Sequence, residues 1–166
     1  MNSLTELSES FQQGECLNIG TLMELNLHHI GIAVADIDTA TADYRRRLRC
    51  ELAGGRYHDP VQTALIQFLR LPGDSVLIEL VAPDGPASRL SNAVRKGGGI
   101  NHVCHSTPDI DEACRALSEE GMMVIQEPTP AVAFGGRRIA WLMGDDRVLT
   151  ELVERPAAEF PDLVPL

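Results

Sequence analysis

Aromatic residues make up only 4% of the 166-residue sequence, and 14 lysines and arginines stand against 24 aspartates and glutamates. A formal net charge of −10 removes the cationic footprint that nucleic acid demands, so no nucleic-acid partner is expected. Arginines grouped locally could still meet a phosphate-bearing small molecule. No apolar run approaches the ~20 residues of a membrane helix, and no membrane partner is expected. The opening stretch, MNSLTELSES, lacks the basic region and apolar core of a secretory signal. The cysteines, Cys16, Cys50, Cys104 and Cys114, show neither CxxC nor framework spacing. They are read as reduced thiols of a cytoplasmic protein.

What is present is a repeat. The run HIGIAVADIDTATADYRRRL begins at His29, and HVCHSTPDIDEACRALSEEG begins at His102. With one laid on the other, Asp36 meets Asp109, Ile37 meets Ile110, Asp38 meets Asp111 and Ala40 meets Ala113. Further on, VLIELV holds Glu79 and VLTELV holds Glu151, one residue out of the same register. Such recurrence marks a duplicated unit.

Each copy reads as strand, helix, then three strands. Ile37, Ala40, Thr41, Tyr44 and Leu48 share one helical face, as do Ile110, Ala113, Cys114 and Leu117 before the stop at Gly121. Strands are expected near 27–34, 50–54, 62–71, 75–82, 100–106, 122–126, 137–144 and 148–153, divided by turn signals such as Pro72-Gly73-Asp74. The organisation expected is an extension over 1–25, a first βαβββ module over 26–90, a second over 91–155, and a loose tail over 156–166. The fold class is α+β.

Strand alternation places Gly31 and Ala33 beside His29, and Cys104 and Ser106 beside His102. These side chains are small and leave room for a cavity. Glu79 and Glu151 sit among leucines and valines, where an ionised carboxylate is costly unless a cation or donors compensate it. One histidine and one glutamate from each copy would meet at the pseudo-twofold axis. His29, Glu79, His102 and Glu151 suit one divalent ion such as Zn, Co, Ni, Mn or Fe(II). A lone strand histidine is commonly a core or rim residue, and the repetition of the set is what favours a metal. His28 is the rival to His29, but its counterpart is Asn101. His105 falls on the opposite face and His58 in a loop, and both are read as structural.

These residues resemble the vicinal-oxygen-chelate superfamily, which includes glyoxalases, epimerases, extradiol dioxygenases and bleomycin-resistance proteins. HHIGIAVADID, IELVAP, GGGINHVCHSTPDID and VLTELVE are most similar to the methylmalonyl-CoA epimerases, over about residues 26–154. The resemblance implies paired βαβββ modules forming a cupped mixed sheet around one metal (Co, Zn, Ni or Mn), held by His29, Glu79, His102 and Glu151. It implies an isomerase that works through a metal-stabilised enolate on an acyl-CoA or similar α-acidic carbonyl substrate, with Glu151 also moving a proton. It implies a homodimer as well.

The sequence departs from that pattern at Ile66, where many bacterial epimerases carry a second glutamate, and neither Ile66 nor Gln67 can act as a base. WLMGDDRVL lacks the His-Pro-Lys run common in the epimerases. For a substrate handle, Arg137 and Arg138 follow Gly135-Gly136, and Arg95-Lys96 precede three glycines; either pair could meet a carboxylate or phosphate, or be solvated surface charge. A glyoxalase-like lyase would use the same quartet with one base, and a non-enzymatic resistance or sequestration protein would bind a drug or metabolite. A ring-cleaving dioxygenase fits less well, because Glu79 would occupy the position dioxygen needs.

Overall fold

The computed structural model describes residues 23–156. The extension over 1–25 falls almost wholly outside the described residues, as do Cys16 and nearly all of the 156–166 tail. The chain runs β1 (Asn26–Ala33), α1 (Ile37–Leu48), β2 (Glu51–Asp59), β3 (Ala64–Arg70) and β4 (Leu77–Pro83). After a short helix, α2 (Ser91–Arg95), come β5 (Gly99–Thr107), α3 (Ile110–Glu119), β6 (Met123–Pro130), β7 (Arg138–Met143) and β8 (Leu149–Glu154). The order strand, helix, three strands therefore occurs twice, and the fold is α+β. None of the described helices is long and apolar enough to cross a membrane.

All eight strands share one mixed sheet, ordered β2-β3-β4-β1-β5-β8-β7-β6. Its centre is the antiparallel pair of the two first strands, flanked by β4 parallel to β1 and β8 parallel to β5. The β1–β5 register is itself twofold: Leu27 faces His105 as Ile32 faces Ile100, and His29 faces Cys104 as Gly31 faces His102. The pseudo-axis passes through the Ile30–Val103 pair.

The helices cover one face. Ile37 packs with Cys50, Leu69, Leu80 and Ala82 under α1, and Ile110, Ala113 and Cys114 with Ala140, Leu142 and Leu152 under α3. The other face carries a third apolar cluster, with Ile66, Phe68, Val81, Phe134, Ile139 and Val153 among its members, and it forms the cup. Cys50, Cys104 and Cys114 are buried free thiols.

Both long helices start on the repeated aspartate. Asp36 accepts the Thr39 amide at 2.8 Å, and Asp109 accepts the Glu112 amide at 3.0 Å, satisfying backbone donors that a helix leaves unpaired. Hydrogen bonds from the Thr39 side chain and amide hold the Asp36 carboxyl below its usual pKa. That cap is therefore charged at neutral pH, and its share of stability is lost as pH falls through the lowered value. Asp109→Ala should cost about 0.5–2 kcal/mol in a urea unfolding curve, whereas Asp109→Asn should cost far less.

Several expectations need correction. Strand β2 continues past Gly54-Gly55 to Asp59, because a register shift between Leu52 and Arg56 absorbs the glycines instead of ending the strand. His58 accordingly lies on β2, 2.5 Å from Asp84 Oδ2, and not in a loop. Strand β6 extends to Pro130 because it is a sheet edge, where a missing amide is tolerated. Leu48, assigned to the buried helix face, is 48% exposed at the end of α1.

Candidate metal centre

The four repeated side chains converge. His29 Nε2 lies 3.0 Å from His102 Nε2, 3.3 Å from Glu79 Oε2 and 3.1 Å from Glu151 Oε2. His102 Nε2 lies 3.0 Å from Glu79 Oε2 and 3.6 Å from Glu151 Oε2. All four residues are buried, none more than 4% exposed. The topology explains the meeting, since β1 and β5 bring the histidines to the axis while β4 and β8 bring one glutamate from each side.

The set fits a divalent ion. Donors held ~2.0–2.2 Å from one ion stand ~2.8–3.6 Å apart at tetrahedral or cis-octahedral angles, and the distances above fall within that range. Glu151 Oε2 is buried and receives no hydrogen bond among the described residues, a costly state for a carboxylate oxygen that a cation would relieve. Burial raises the Glu79 carboxyl, but the facing His29 and His102 outweigh it and hold its pKa below the usual range. Burial also opposes a charge on His29, yet the neighbouring Cys104 sulfur and Glu79 carboxylate keep its pKa well above the ordinary value.

Each imidazole stands edge-on to an aromatic ring at the repeat's own offset. Phe68 meets His29 with centroids 5.4 Å apart, and Trp141 meets His102 at 4.9 Å. Phe68 pairs with Glu79 across β3–β4, and Trp141 with Glu151 across β7–β8. Above the quartet lies a cavity of about 420 Å³ with walls that include Ile66, Val81, Phe134, Ile139 and Trp141. Glu79, His102 and Glu151 line it, while His29 is fully buried beneath.

The arginines chosen from the sequence lie elsewhere. Arg138 turns to the helix face, where it binds Glu154 and, at 3.0 Å, Asp111 of α3. Alternation along β7 gives the cavity face to Ile139 and Trp141 instead. Arg137 sits behind the cavity wall, its Nε donating to the Phe134 carbonyl at 3.1 Å and its guanidinium 5.8 Å from the Phe134 ring centre. Arg95 donates to Asn92 at 2.7 Å on the surface. The arginine that lines the cavity is Arg89, in the loop after β4. No periodicity marks that loop, and sequence reasoning missed it, along with Phe134 and Trp141.

Two βαβββ units sharing one cup, with a His-Glu pair from each at its floor, define a class of duplicated α+β proteins. Residues 28–141 match the Glyoxalase/Bleomycin resistance protein/Dioxygenase superfamily, and the chain belongs to that superfamily. Within it the chain is an epimerase-like enzyme. It is 33% identical to the ethylmalonyl-CoA/methylmalonyl-CoA epimerase of Cereibacter sphaeroides over 122 residues, covering 72% of this chain and 89% of that one. The crystal structure of methylmalonyl-CoA epimerase from Mycobacterium tuberculosis superposes with a TM-score of 0.70 at 32% identity, covering 79% of this chain and 87% of that one. A variant Streptomyces coelicolor methylmalonyl-CoA epimerase in complex with 2-nitronate-propionyl-CoA gives 0.70 at 28% identity, covering 82% of this chain and 98% of that one.

Proposed function

We propose that this chain is a divalent-metal-dependent isomerase that moves the α-proton of an acyl-CoA thioester, or of a similar α-acidic carbonyl compound. The observation that carries the reading is the convergence of His29, Glu79, His102 and Glu151 beneath one apolar cavity. The epimerases to which the chain is similar support the reaction class and the acyl-CoA substrate. In this reading residues 26–90 and 91–155 are the two modules, and the enzyme is a cytoplasmic homodimer, which sedimentation and cell fractionation would test.

The four side chains would hold the ion, whose chemistry is that of a Lewis acid beside a carbonyl oxygen where negative charge develops. The remaining work falls to the protein. Glu151, whose side chain lines the cavity, takes the α-proton. Inversion then needs a proton delivered to the opposite face, and Ile66 cannot deliver it, since it contributes only hydrocarbon to the cavity wall. Gln67 points away and donates to the carbonyls of Gly55 and Phe68. That return of the proton is assigned to Glu79, the second carboxylate lining the cavity, which comes from β4 while Glu151 comes from β8. Ile66, Val81, Phe134 and Ile139 exclude water from the reacting carbon. Arg89 is the cation placed to meet a substrate carboxylate or phosphate.

In deuterated water the metal-loaded enzyme should incorporate deuterium at the α-carbon of methylmalonyl-CoA, and chelator treatment should stop it. Absence of exchange with the metal loaded removes the epimerase reading. Ile66 favours one other reading, a glyoxalase-like lyase needing a single base. Turnover of the methylglyoxal–glutathione hemithioacetal, without proton exchange on the acyl-CoA, would establish it.

A further inference from the structure

The central strand pair contains two irregularities, and both fall beside the histidines. From Leu27–His105 to His29–Cys104 strand β1 advances two residues while β5 advances one, which leaves His28 as the extra residue of a bulge. From Gly31–His102 to Ile32–Ile100 the excess lies on β5, and the extra residue is Asn101. His28 and Asn101 occupy the same position in the repeat. In a regular strand the neighbour of an inward histidine faces outward. A bulge re-aims it.

Here both extra side chains turn back onto the ring next to them. His28 Nδ1 lies 2.8 Å from His29 Nδ1, and Asn101 Oδ1 lies 3.0 Å from His102 Nδ1. An amide oxygen only accepts, so His102 carries its proton on Nδ1 and leaves the Nε2 lone pair for the centre. By analogy with the second module, the repeat assigns the proton to His29 Nδ1 and the acceptor role to His28 Nδ1, so that a bound ion would take the place of any proton on His29 Nε2, which lies 3.0 Å from His102 Nε2. His28 is itself fixed, 7% exposed with its ring edge-on to Phe134 at 5.7 Å.

We propose that His28 and Asn101 are a duplicated pair of positioning residues, each delivered by a β-bulge, that lock His29 and His102 in the Nδ1–H tautomer and aim both Nε2 atoms at one divalent ion. The inference rests on the metal reading above. It extends that reading by assigning a role to two residues outside the quartet. It also accounts for the difference between them: the position calls for an acceptor at hydrogen-bond distance, and an imidazole and an amide both provide one.

Co²⁺ is the probe, titrated into the chelator-treated full chain and followed by its visible absorption, with a competing chelator to obtain Kd. His28→Phe and Asn101→Leu should weaken binding by about 10- to 100-fold, the range for loss of an outer-sphere partner, while His28→Asn, which copies the second module, should stay within a few-fold of wild type. Long-range proton–nitrogen NMR of the Zn²⁺-loaded protein should show both ligand imidazoles protonated at Nδ1. His28→Phe and Asn101→Leu binding Co²⁺ as tightly as wild type would overturn the proposal, and so would His28→Asn losing as much as His28→Phe. If His28→Phe does not fold, Asn101→Leu, His28→Asn and the NMR still decide. Wild type that binds no Co²⁺ would remove the metal reading itself, an outcome distinct from wild type that binds while the variants are unchanged.

Discussion

Glu151→Gln folds normally, binds a divalent ion and loses α-proton exchange by roughly 10²- to 10⁴-fold, the usual contribution of a positioned acid–base group. The amide is isosteric with the carboxylate, so a site where Glu151 is 3% exposed has no cavity to fill. Its carbonyl oxygen can still face a cation. What disappears is a group able to accept a proton. Glu79→Gln gives a different result if Glu79 returns the proton to the far face. Deuterium still enters through Glu151, but inversion of the α-carbon slows far more than exchange. Following wash-in and configuration in one sample separates the two rates. Unimpaired exchange by metal-loaded Glu151→Gln would transfer the proton step to another residue and break the assignment.

The convergence of the four side chains is legible in the sequence because duplication is a long-range restraint written at fixed spacing. Two histidines and two glutamates recur almost in register, and any fold that brings the copies together about an axis gathers all four. The helix starts were legible for a local reason, since Asp36 and Asp109 are caps whose chemistry acts within three residues. The substrate wall was not. Arg137 and Arg138 looked available beside a Gly-Gly turn, yet Arg138 is taken by Glu154 and Asp111, residues far apart in the chain. Arg89 reaches the cavity from a loop with no period to read. The sequence ranks His28 below His29 because its counterpart, Asn101, is not a matching metal ligand. Alternation hides the placement both residues share, since a bulge turns each towards the neighbouring histidine ring. The continuation of β2 through Gly54-Gly55 was hidden for the same reason: a register shift is a property of the partner strand as much as of the glycines.

Gly31→Ala should dismantle the site with a single methyl group. A Cβ built on Gly31 would lie 2.0 Å from His102 Cε1 and 2.3 Å from both ring nitrogens, far inside van der Waals contact. Gly31 is the strand partner of His102 across β1–β5, so the ring lies directly over its Cα. Trp141 stands edge-on at 4.9 Å and Asn101 holds Nδ1, so the imidazole can yield only by leaving its place in the centre. The backbone at Gly31 is not left-handed, so the penalty is one of volume and not of strain. Either the ring rotates out of the centre or β1 and β5 separate, and both outcomes move Nε2 away from the other three donors. Misplacement on the order of 1 Å at a reacting site costs about 10²-fold or more in rate. Metal affinity should fall along with activity, towards that of His102→Ala. Gly55→Ala is the matched control, since a Cβ there meets nothing within 4 Å. It should bind Co²⁺ and exchange the α-proton like wild type. Gly31→Ala that matched this control in both measurements would show that His102 does not stand over the central strand pair, and the centre would have to be rebuilt without it.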